Sequence, residues 1–321
     1  MPEPRQPLLL LDTASLYFRA FFGVPDSVRA PDGTPVNAVR GLLDMIARLV
    51  GDHRPGRLVA CWDDDWRPAF RVEAISSYKA HRVAVEVPGT TGGEEVPDAL
   101  AVQVPVIVEV LAALGIARLG VPGFEADDVI GTLTTREVAR PAAQRSPVAV
   151  VTGDRDLFQL VDDAAGVQVL YTVRGIKDLE RVDQARLAER YGVPTGQAYA
   201  DMAVLRGDPS DGLPGVAGIG EKTAAALLAR YGDLAGVLAA RDGTDPGLTA
   251  TQRRRLLDAS AYLDVAPLVV QVVRDAPAPE LDDRLPTTPA DPAALVDLTE
   301  RWGLASSVRR VLSALEMRVP D

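Results

Sequence analysis

Short apolar runs recur along the first part of the chain and predict β-strands. Each run is rich in Val, Leu or Ile, and apolar positions at helical spacing lie between the runs. Strands that alternate with helices predict an α/β fold with a parallel sheet covered on both faces. The predicted strands are Leu8–Leu11, Arg57–Trp62, Ile116–Leu119, Val148–Thr152 and Val167–Tyr171, and the clearest helices are Ala38–Val50, Val104–Leu114 and Ala126–Ala139.

The pattern changes near Ala200, where strand signals stop and Pro, Gly and short helical stretches dominate. We expect a sheet-containing core over residues 1–200, a small helical domain over residues 201–281 and a C-terminal helical extension over residues 282–321. Within the core, the segment Val83–Val96 is rich in Gly, Pro and Thr, which predicts a flexible connection between helical pieces.

The composition limits the chemistry available to the protein. Among 321 residues there are one Cys and two His, which rules out an internal disulfide and a closed structural zinc site and argues against a Ser-His-Asp or Cys-His mechanism. The sequence shows no secretion signal and no membrane-spanning stretch, so we expect a cytoplasmic protein. A net charge of −11 disfavours nucleic-acid binding unless the acids gather in one pocket and leave basic patches elsewhere.

Acidic residues follow the predicted strands at the points where the strands end. Asp12, Asp63 and Asp154 each come directly or almost directly after a strand, and the carboxyl ends of parallel strands meet at one edge of a sheet. Taken singly, each acid is explained as well by a helix cap or a solvated turn. As a set, the acids predict a pocket of hard oxygen ligands in which two Mg²⁺ or Mn²⁺ ions, about 4 Å apart, act on a phosphodiester. The set comprises Asp12; Asp63, Asp64 and Asp65; Glu125, Asp127 and Asp128; Asp154 and Asp156; and Asp208 and Asp211.

A glycine-rich segment, Gly207–Thr223, predicts a phosphate-binding turn. Its later glycines, over Gly215–Gly220, let the backbone approach a phosphate, the following helix presents free N–H groups, and Lys222 adds a positive charge. A nucleotide-binding P-loop does not fit, because Glu221 intervenes before Lys222 and no strand precedes the turn. A helix-hairpin-helix that grips a DNA backbone without reading its sequence fits better.

Four separate stretches of the chain carry recognisable motifs, namely YKAHR (Tyr78–Arg82), GFEADDVIGTL (Gly123–Leu133), VTGDRDLFQLV (Val151–Val161) and GDPSDGLPGVAGIGEKT (Gly207–Thr223). Together they closely resemble the bacterial 5′ nuclease family, which comprises flap endonucleases and the N-terminal 5′ nuclease domain of DNA polymerase I. The motifs occur in the family's order, and the resemblance runs from about residue 8 to residue 280. It implies a PIN-like nuclease core with a helical arch at about residues 70–115, followed by a helix-three-turn-helix DNA-binding segment.

The resemblance also implies roles for individual residues. Around a first divalent cation it places Asp12, Asp63, Glu125 and Asp127, and around a second, partly through water, Asp128, Asp154, Asp156, Asp208 and Asp211. Arg71 and Lys79 match basic residues that neutralise the scissile phosphate, and Tyr78 matches an aromatic on which a terminal base stacks. The resemblance also implies a monovalent cation at the 215–220 hairpin and further DNA contacts by Arg19, Arg82, Gly218, Gly220, Lys222 and Thr223.

The chain departs from the family pattern near the cation site. Gly212 stands where the family usually has Asn, and Asp63 is followed by Asp64 and Asp65, which would allow a third cation to bind. The segment Val83–Val96 also differs from the family's usual arch, which leaves open whether a single strand threads through it.

Together these features predict a 5′-3′ exonuclease and 5′-flap endonuclease that cuts DNA by two-metal catalysis in replication and repair. We expect this enzyme to be stand-alone and monomeric, and to associate with the nucleoid during repair. The resemblance leaves no residues for a polymerase domain. Two alternatives stay open. A catalytically silent DNA-junction binding module would be expected to lack some of the acids, and a PIN-type ribonuclease would share the acidic pocket but not the glycine-rich hairpin.

Overall fold

A sheet of six strands forms the centre of the fold in the computed structural model, which describes residues 5–85 and 92–317. The described residues contain eight strands, namely β1 (Leu8–Asp12), β2 (Arg57–Cys61), β3 (Val83–Val85), β4 (Gly93–Glu94), β5 (Ala117–Leu119), β6 (Val148–Thr152), β7 (Val167–Tyr171) and β8 (Glu180–Val182). Six of them form the sheet in the order β5-β2-β1-β6-β7-β8, and every neighbouring pair is parallel except β7 and β8. A separate antiparallel ladder joins β3 and β4.

Both faces of the sheet are buried because its central strands are apolar at nearly every position. Leu8 and Leu10 of β1 point into one hydrophobic cluster and Leu9 and Leu11 into the other, since successive side chains of a strand alternate between faces. All four side chains are at most 2% exposed. The predicted parallel sheet with two covered faces is therefore confirmed.

Helices cover the two faces in separate layers. The face of Leu9 and Leu11 packs against α2, α5, α13 and α14, and the face of Leu8 and Leu10 packs against the layer of α6, α8, α9 and α12. The helices are α1 (Thr13–Gly23), α2 (Asn37–His53), α3 (Ala69–Ala74), α4 (Asp98–Ala101), α5 (Gln103–Leu114), α6 (Ala126–Val138), α7 (Gln184–Tyr191), α8 (Gly196–Arg206), α9 (Glu221–Tyr231), α10 (Leu234–Asp242), α11 (Ala250–Asp258), α12 (Ser260–Val270), α13 (Pro292–Arg301) and α14 (Ala305–Ala314).

The C-terminal extension packs on the sheet-containing core. In it, α13 contacts α5 and α14 contacts α2. Asp283 accepts two hydrogen bonds from Arg57 at the start of β2, at 2.8 and 2.6 Å. The helix α8 runs through Ala200, where the sequence pattern changes, and the buried residues of the helical segment belong to the same cluster as one face of the sheet. The sheet and the helical segment thus share a continuous hydrophobic core.

The sequence pattern missed three short strands, β3, β4 and β8, which have two or three residues each. Such strands are too short for an alternating pattern to stand out. The ends of the segment Val83–Val96 pair as β3 and β4, and the part of it over residues 86–91 lies outside the described residues. The predicted arch region holds α3, a 3₁₀ turn (Ala80–Arg82), α4 and α5. Among the described helices, none is long and apolar enough to cross a membrane.

Candidate active site

The carboxyl ends of β1, β2 and β6 and the start of α6 open into a cavity of about 340 Å³. Asp12 is the last residue of β1, and Asp63 and Asp154 lie just beyond the ends of β2 and β6. Glu125 directly precedes α6, and Asp127 lies in its first turn. Because β1 pairs with both β2 and β6, the strand order brings these carboxylates together in the walls of the cavity.

Two neighbouring elements hold the carboxylate of Asp12. The Ser15 N–H donates to Oδ1 at 3.2 Å, which makes Asp12 the N-cap of α1, and the Thr152 hydroxyl donates to Oδ2 at 2.6 Å. The carboxylate of Asp63 is held in a similar way, since its Oδ1 accepts from the Ala126 N–H at 2.8 Å. Asp12 therefore caps α1 and lines the cavity at the same time, so the explanation of this acid as a helix cap and its prediction as a pocket acid are both compatible with the structure.

Burial and mutual repulsion make these acids hard to ionise. Burial raises the pKa of Asp12 to about 6, and the charge of Asp154 adds to the effect. Burial also raises the pKa of Asp63 to about 7, with further contributions from Asp12 and Glu125. The pKa of Asp127 is raised well above its usual range by burial and then by Asp12, Asp154 and Glu125. A positive charge in the cavity would offset this cost, because it favours the ionised forms.

Lys79 and Arg82 bring positive charge to the same cavity. Lys79 Nζ donates to Glu125 Oε1 at 2.8 Å, and Arg82 Nη2 donates to Asp211 Oδ1 at 2.7 Å. Lys79 has a φ of +48°, a left-handed conformation that residues other than glycine rarely adopt. The cavity therefore holds acids that attract cations beside cationic groups that attract a phosphate.

A second acidic group lies beside the cavity. Burial raises the pKa of Asp156 well above its usual range, and the charges of Asp154, Asp211 and Asp208 raise it further, which shows that these acids lie near one another. Burial likewise raises the pKa of Asp211. Across residues 5–85 and 92–317, no three Asp, Glu, His or Cys side chains are arranged to hold a metal ion directly.

The glycine-rich segment forms an exposed hairpin that leads into α9. Gly218 has a φ of +71°, a left-handed conformation that glycine adopts without strain, and Gly220 is the N-cap of α9. The buried side chain of Ile219 anchors the turn, while Gly218, Gly220 and Lys222 are exposed and Thr223 is half-buried. The predicted hairpin thus presents its backbone and one cationic side chain to solvent.

Two sequence families match consecutive parts of the chain. The family described as "5'-3' exonuclease, N-terminal resolvase-like domain" matches residues 7–192, and the family described as "5'-3' exonuclease, C-terminal SAM fold" matches residues 194–293. The chain belongs to the 5′-3′ exonuclease family.

A 5′-3′ exonuclease of Streptomyces coelicolor is 64% identical over 307 residues, which are 96% of this chain and 99% of the relative. A 5′-3′ exonuclease of Mycobacterium tuberculosis is 54% identical, over 97% of this chain and 98% of the relative. The predicted enzyme class is therefore confirmed.

Longer relatives and solved structures agree with this family. DNA polymerase I of Mycobacterium bovis is 40% identical over 285 residues, which are 88% of this exonuclease and 29% of that protein. The structure of the bacteriophage T5 D15 flap endonuclease with DNA and metal ions aligns with a TM-score of 0.64 at 16% identity, over 97% of this chain and 100% of that one. These likenesses confirm the predicted fold class, a PIN-like α/β core followed by a helical segment.

Three predicted site residues of this exonuclease lie beneath the cavity instead of lining it. Asp128 is fully buried, and its two carboxylate oxygens accept hydrogen bonds from Arg71 at 2.6 and 2.7 Å. Arg71 is 2% exposed and Tyr78 is 3% exposed, and the Tyr78 hydroxyl donates to Glu125 at 2.9 Å. None of the three lines the cavity, so this arrangement does not support their predicted contacts with a cation, a phosphate or a base. Successive helical residues point about 100° apart, so Asp127 faces the cavity and Asp128 faces the core.

Two other predicted site residues lie outside the lining of the cavity. Arg19 is half-buried on α1, and Asp208 accepts from the Ser210 N–H at 2.8 Å. The exonuclease cavity also has lining residues that sequence reasoning missed, namely Ser15, Phe18, Trp66 and Glu94. Ser15 and Phe18 follow Asp12 at helical spacing on α1, a signal that would have identified them. Glu94 comes from β4, which the sequence pattern did not predict.

Proposed function

We propose that this exonuclease cuts DNA at 5′ ends and 5′ flaps in the cavity at the sheet edge. The observation that carries the proposal is the meeting of six carboxylates with two cationic side chains in one cavity. The carboxylates attract cations, and the cationic side chains attract a phosphate. The name and DNA ligand of the T5 relative, a flap endonuclease, support DNA flaps as the substrate class. The eight residues are Asp12, Asp63, Glu94, Glu125, Asp127, Asp154, Lys79 and Arg82.

The donor chemistry of the cavity fits divalent cations. Every acid offers hard oxygen atoms, the ligands that Mg²⁺ and Mn²⁺ prefer. Burial, and after it the repulsion between neighbouring acids, raises the pKa values of Asp12, Asp63 and Asp127, and a bound cation would relieve both effects. Mg²⁺ keeps several waters in protein sites, so a loosely spaced set of acids is compatible with cations bound partly through water. When bound, the cations would lower the pKa of a water molecule and neutralise charge on the phosphate.

We assign the acids to two cations. The first would be held by Asp12, Asp63, Glu125 and Asp127, and the second by Asp154, Asp156, Asp208 and Asp211. Asp128 leaves the second set because Arg71 occupies both its oxygens. Asp64 and Asp65 are not among the residues that line the cavity, so we assign no third cation.

Lys79 and Arg82 are the residues that we assign to the scissile phosphate. Lys79 Nζ is fixed by Glu125 and by the Trp66 carbonyl at 3.4 Å, and an ammonium group has three donors, so one is left for a ligand. Arg82 keeps donors beyond the one that Asp211 accepts. Two aromatic side chains, Phe18 and Trp66, lie in the cavity wall, and we assign the stacking of a base to them instead of to Tyr78.

The 215–220 hairpin is the element that we assign to the DNA duplex. Free N–H groups at the start of α9 and the exposed Lys222 suit a backbone phosphate, and such contacts carry no base information. A monovalent cation fits this turn less well, because the Arg255 guanidinium already donates to the Gly218 carbonyl at 3.2 Å. We therefore assign the positive charge at this turn to Arg255.

Cleavage of end-labelled nucleic acids tests the proposal. The substrates are a DNA 5′ flap, a nicked duplex, a single strand and an RNA flap of the same sequence, each with Mg²⁺, Mn²⁺ or chelator. We expect cation-dependent cleavage of the DNA flap, lost in Asp127→Asn with DNA binding retained, and kept in the control Asp52→Asn, which changes an exposed acid of α2. Binding without cleavage by the unmodified protein would favour a silent junction module. Preferential cleavage of RNA would favour a ribonuclease.

A further inference from the structure

A buried guanidinium beneath the cavity joins three parts of the chain. Arg71 lies in α3 and is 2% exposed. It donates to the carboxylates of Asp128 and Glu125 at the start of α6, and to the carbonyls of Val269 and Gln271 at the end of α12. One side chain therefore connects the base of the arch region, the cavity wall and the helical segment.

The pair of Arg71 with Asp128 is the tightest part of this network. Its two hydrogen bonds measure 2.6 and 2.7 Å and engage both carboxylate oxygens. Asp128 also accepts from the backbone N–H groups of Val273 at 2.8 Å and Glu125 at 3.2 Å. A planar guanidinium can form two parallel hydrogen bonds with a carboxylate, a geometry that lysine cannot reproduce. Asp128 thereby fixes the plane of the guanidinium.

Glu125 is the member of the network that reaches the cavity. Its Oε2 accepts from Arg71 Nη1 at 3.2 Å, its Oε1 accepts from Lys79 Nζ at 2.8 Å, and the Tyr78 hydroxyl lies 2.9 Å from both oxygens. The side chain is largely buried, so these donors, and not solvent, set the direction of the carboxylate.

We propose that Arg71, clamped by Asp128, is a positioning residue that orients the Glu125 carboxylate in the cavity and ties this orientation to the end of α12. The inference rests on the proposed function, since it concerns the part that Glu125 takes in holding a cation. Hydrogen-bonding partners that orient a metal ligand typically account for roughly 10–100-fold in metal affinity. Because α12 belongs to the segment that carries the hairpin, the same guanidinium fixes where that segment meets the cavity wall.

Two substitutions separate orientation from charge. Arg71→Lys keeps the positive charge but cannot reach Asp128, Glu125 and Val269 together, and Arg71→Met removes the charge at similar length. If Arg71 acted through charge alone, the Lys variant would bind Mn²⁺ as the unmodified protein does, and the Met variant would bind it more tightly, because a nearby positive charge repels a cation. Orientation predicts weaker binding in both variants, by roughly 10–100-fold.

Isothermal titration of the DNA-free protein with Mn²⁺ measures this affinity, with thermal unfolding recorded on the same samples. The matched controls are Arg57→Lys and Arg57→Met, which disrupt a comparable network with Glu137 and Asp283 at the opposite end of β2. The controls are expected to lose stability and to keep their affinity for Mn²⁺. In flap cleavage at subsaturating Mn²⁺, the Arg71→Lys variant is expected to lose kcat while KM for DNA stays the same.

The possible results lead to different conclusions. Unchanged affinity in Arg71→Lys, or tighter binding in Arg71→Met, would overturn the inference and leave the proposed function standing. Absence of Mn²⁺ binding by the unmodified protein would overturn the proposed function and the inference with it. If neither Arg71 variant folds where both Arg57 variants do, Arg71 is a folding requirement and not a positioning residue, and the inference falls.

Discussion

The hydroxyl of Thr152 at the end of β6 donates to Oδ2 of Asp12 at the end of the neighbouring strand β1, at 2.6 Å. This hydrogen bond lowers the pKa of Asp12 and so opposes burial, which raises that pKa to about 6. Thr152 therefore helps to keep ionised a carboxylate that we assign to the first cation.

We expect Thr152→Val, which removes the hydroxyl with little change of shape, to move the acid limb of the pH profile of cleavage to higher pH. The pKa of Asp12 should rise further, so that protons compete better with the cation for this carboxylate. The cleavage rate of the variant should therefore be much lower than that of the unmodified protein below about pH 7, and similar to it near pH 9. The control Thr134→Val removes a buried hydroxyl that has no hydrogen-bond partner in the described part of the chain, and should leave the profile unchanged. An equal loss at every pH would contradict the role of Thr152.

Without divalent cations, the free energy of unfolding should fall as the pH rises from acidic to neutral. The carboxyl groups of Asp12 and Asp63 have pKa values of about 6 and about 7 in the folded protein, against 3.8 as the ordinary value. Between these values the folded state binds more protons than the unfolded state, so their stabilising contribution is complete below 3.8 and is lost as the pH passes through the folded pKa values. Thermal melts with chelator across this range measure the effect.

Mn²⁺ should restore the stability that is lost at neutral pH. The gain in Tm at saturating Mn²⁺ should be larger near pH 8 than near pH 5, because protons must leave the carboxyl groups before a cation binds. Asp127→Asn should gain less than the unmodified protein, while the control Asp52→Asn should gain as much. Equal gains at the two pH values would argue against a cation at these acids.

Lys79→Met should lower kcat for flap cleavage by roughly 10²–10³-fold and change KM for DNA much less. The reason is that a cationic group beside the scissile phosphate stabilises the negative charge that develops in the transition state more than it stabilises bound substrate. Steady-state kinetics at saturating cation measure both constants. The exposed Lys177 provides the control, since Lys177→Met removes the same charge from a surface turn. A loss of DNA affinity with kcat retained would make Lys79 a binding residue only.

Lys222→Ala should weaken DNA binding equally for unrelated sequences and reduce the slope of log affinity against log salt by about one charge. The reason is that the exposed ammonium at the start of α9 is assigned to a backbone phosphate. Titrations of duplexes with different sequences at several salt concentrations measure this. Arg309→Ala in α14, which also removes an exposed charge, should leave the slope unchanged. A loss confined to one sequence would contradict a phosphate contact.

Tyr78→Phe tests whether the Tyr78 hydroxyl acts as a hydrogen-bond donor to Glu125. The phenyl ring would still stack on a base, but Glu125 would lose a buried hydrogen-bond donor, so we expect the free energy of unfolding to fall by roughly 1–3 kcal/mol. Urea unfolding measures the change. The control Tyr231→Phe removes a hydroxyl that has no hydrogen-bond partner among the described residues, and should change stability little. Stability equal to that of the unmodified protein would return Tyr78 to the stacking interpretation.

The sequence by itself determined the sheet and the meeting of acids at its edge. Runs such as Leu8–Leu11 are apolar at every position, a pattern that is typical of a strand buried on both faces. Once the strands are parallel, their carboxyl ends share one edge, so Asp12, Asp63 and Asp154 had to approach one another. These conclusions depend on local pattern and on a general rule of sheet geometry, and both can be read along the chain.

Only the tertiary structure decided which neighbouring side chains face the cavity and which face the core. Asp127 and Asp128 look alike in sequence, but successive residues of a helix point about 100° apart, and the core-facing acid is stabilised by Arg71 from a distant element. Tyr78 is buried because the chain around it folds against Glu125, a contact between residues far apart in sequence. Such outcomes depend on long-range packing and on the pairing of buried charges, for which no local pattern carries a signal.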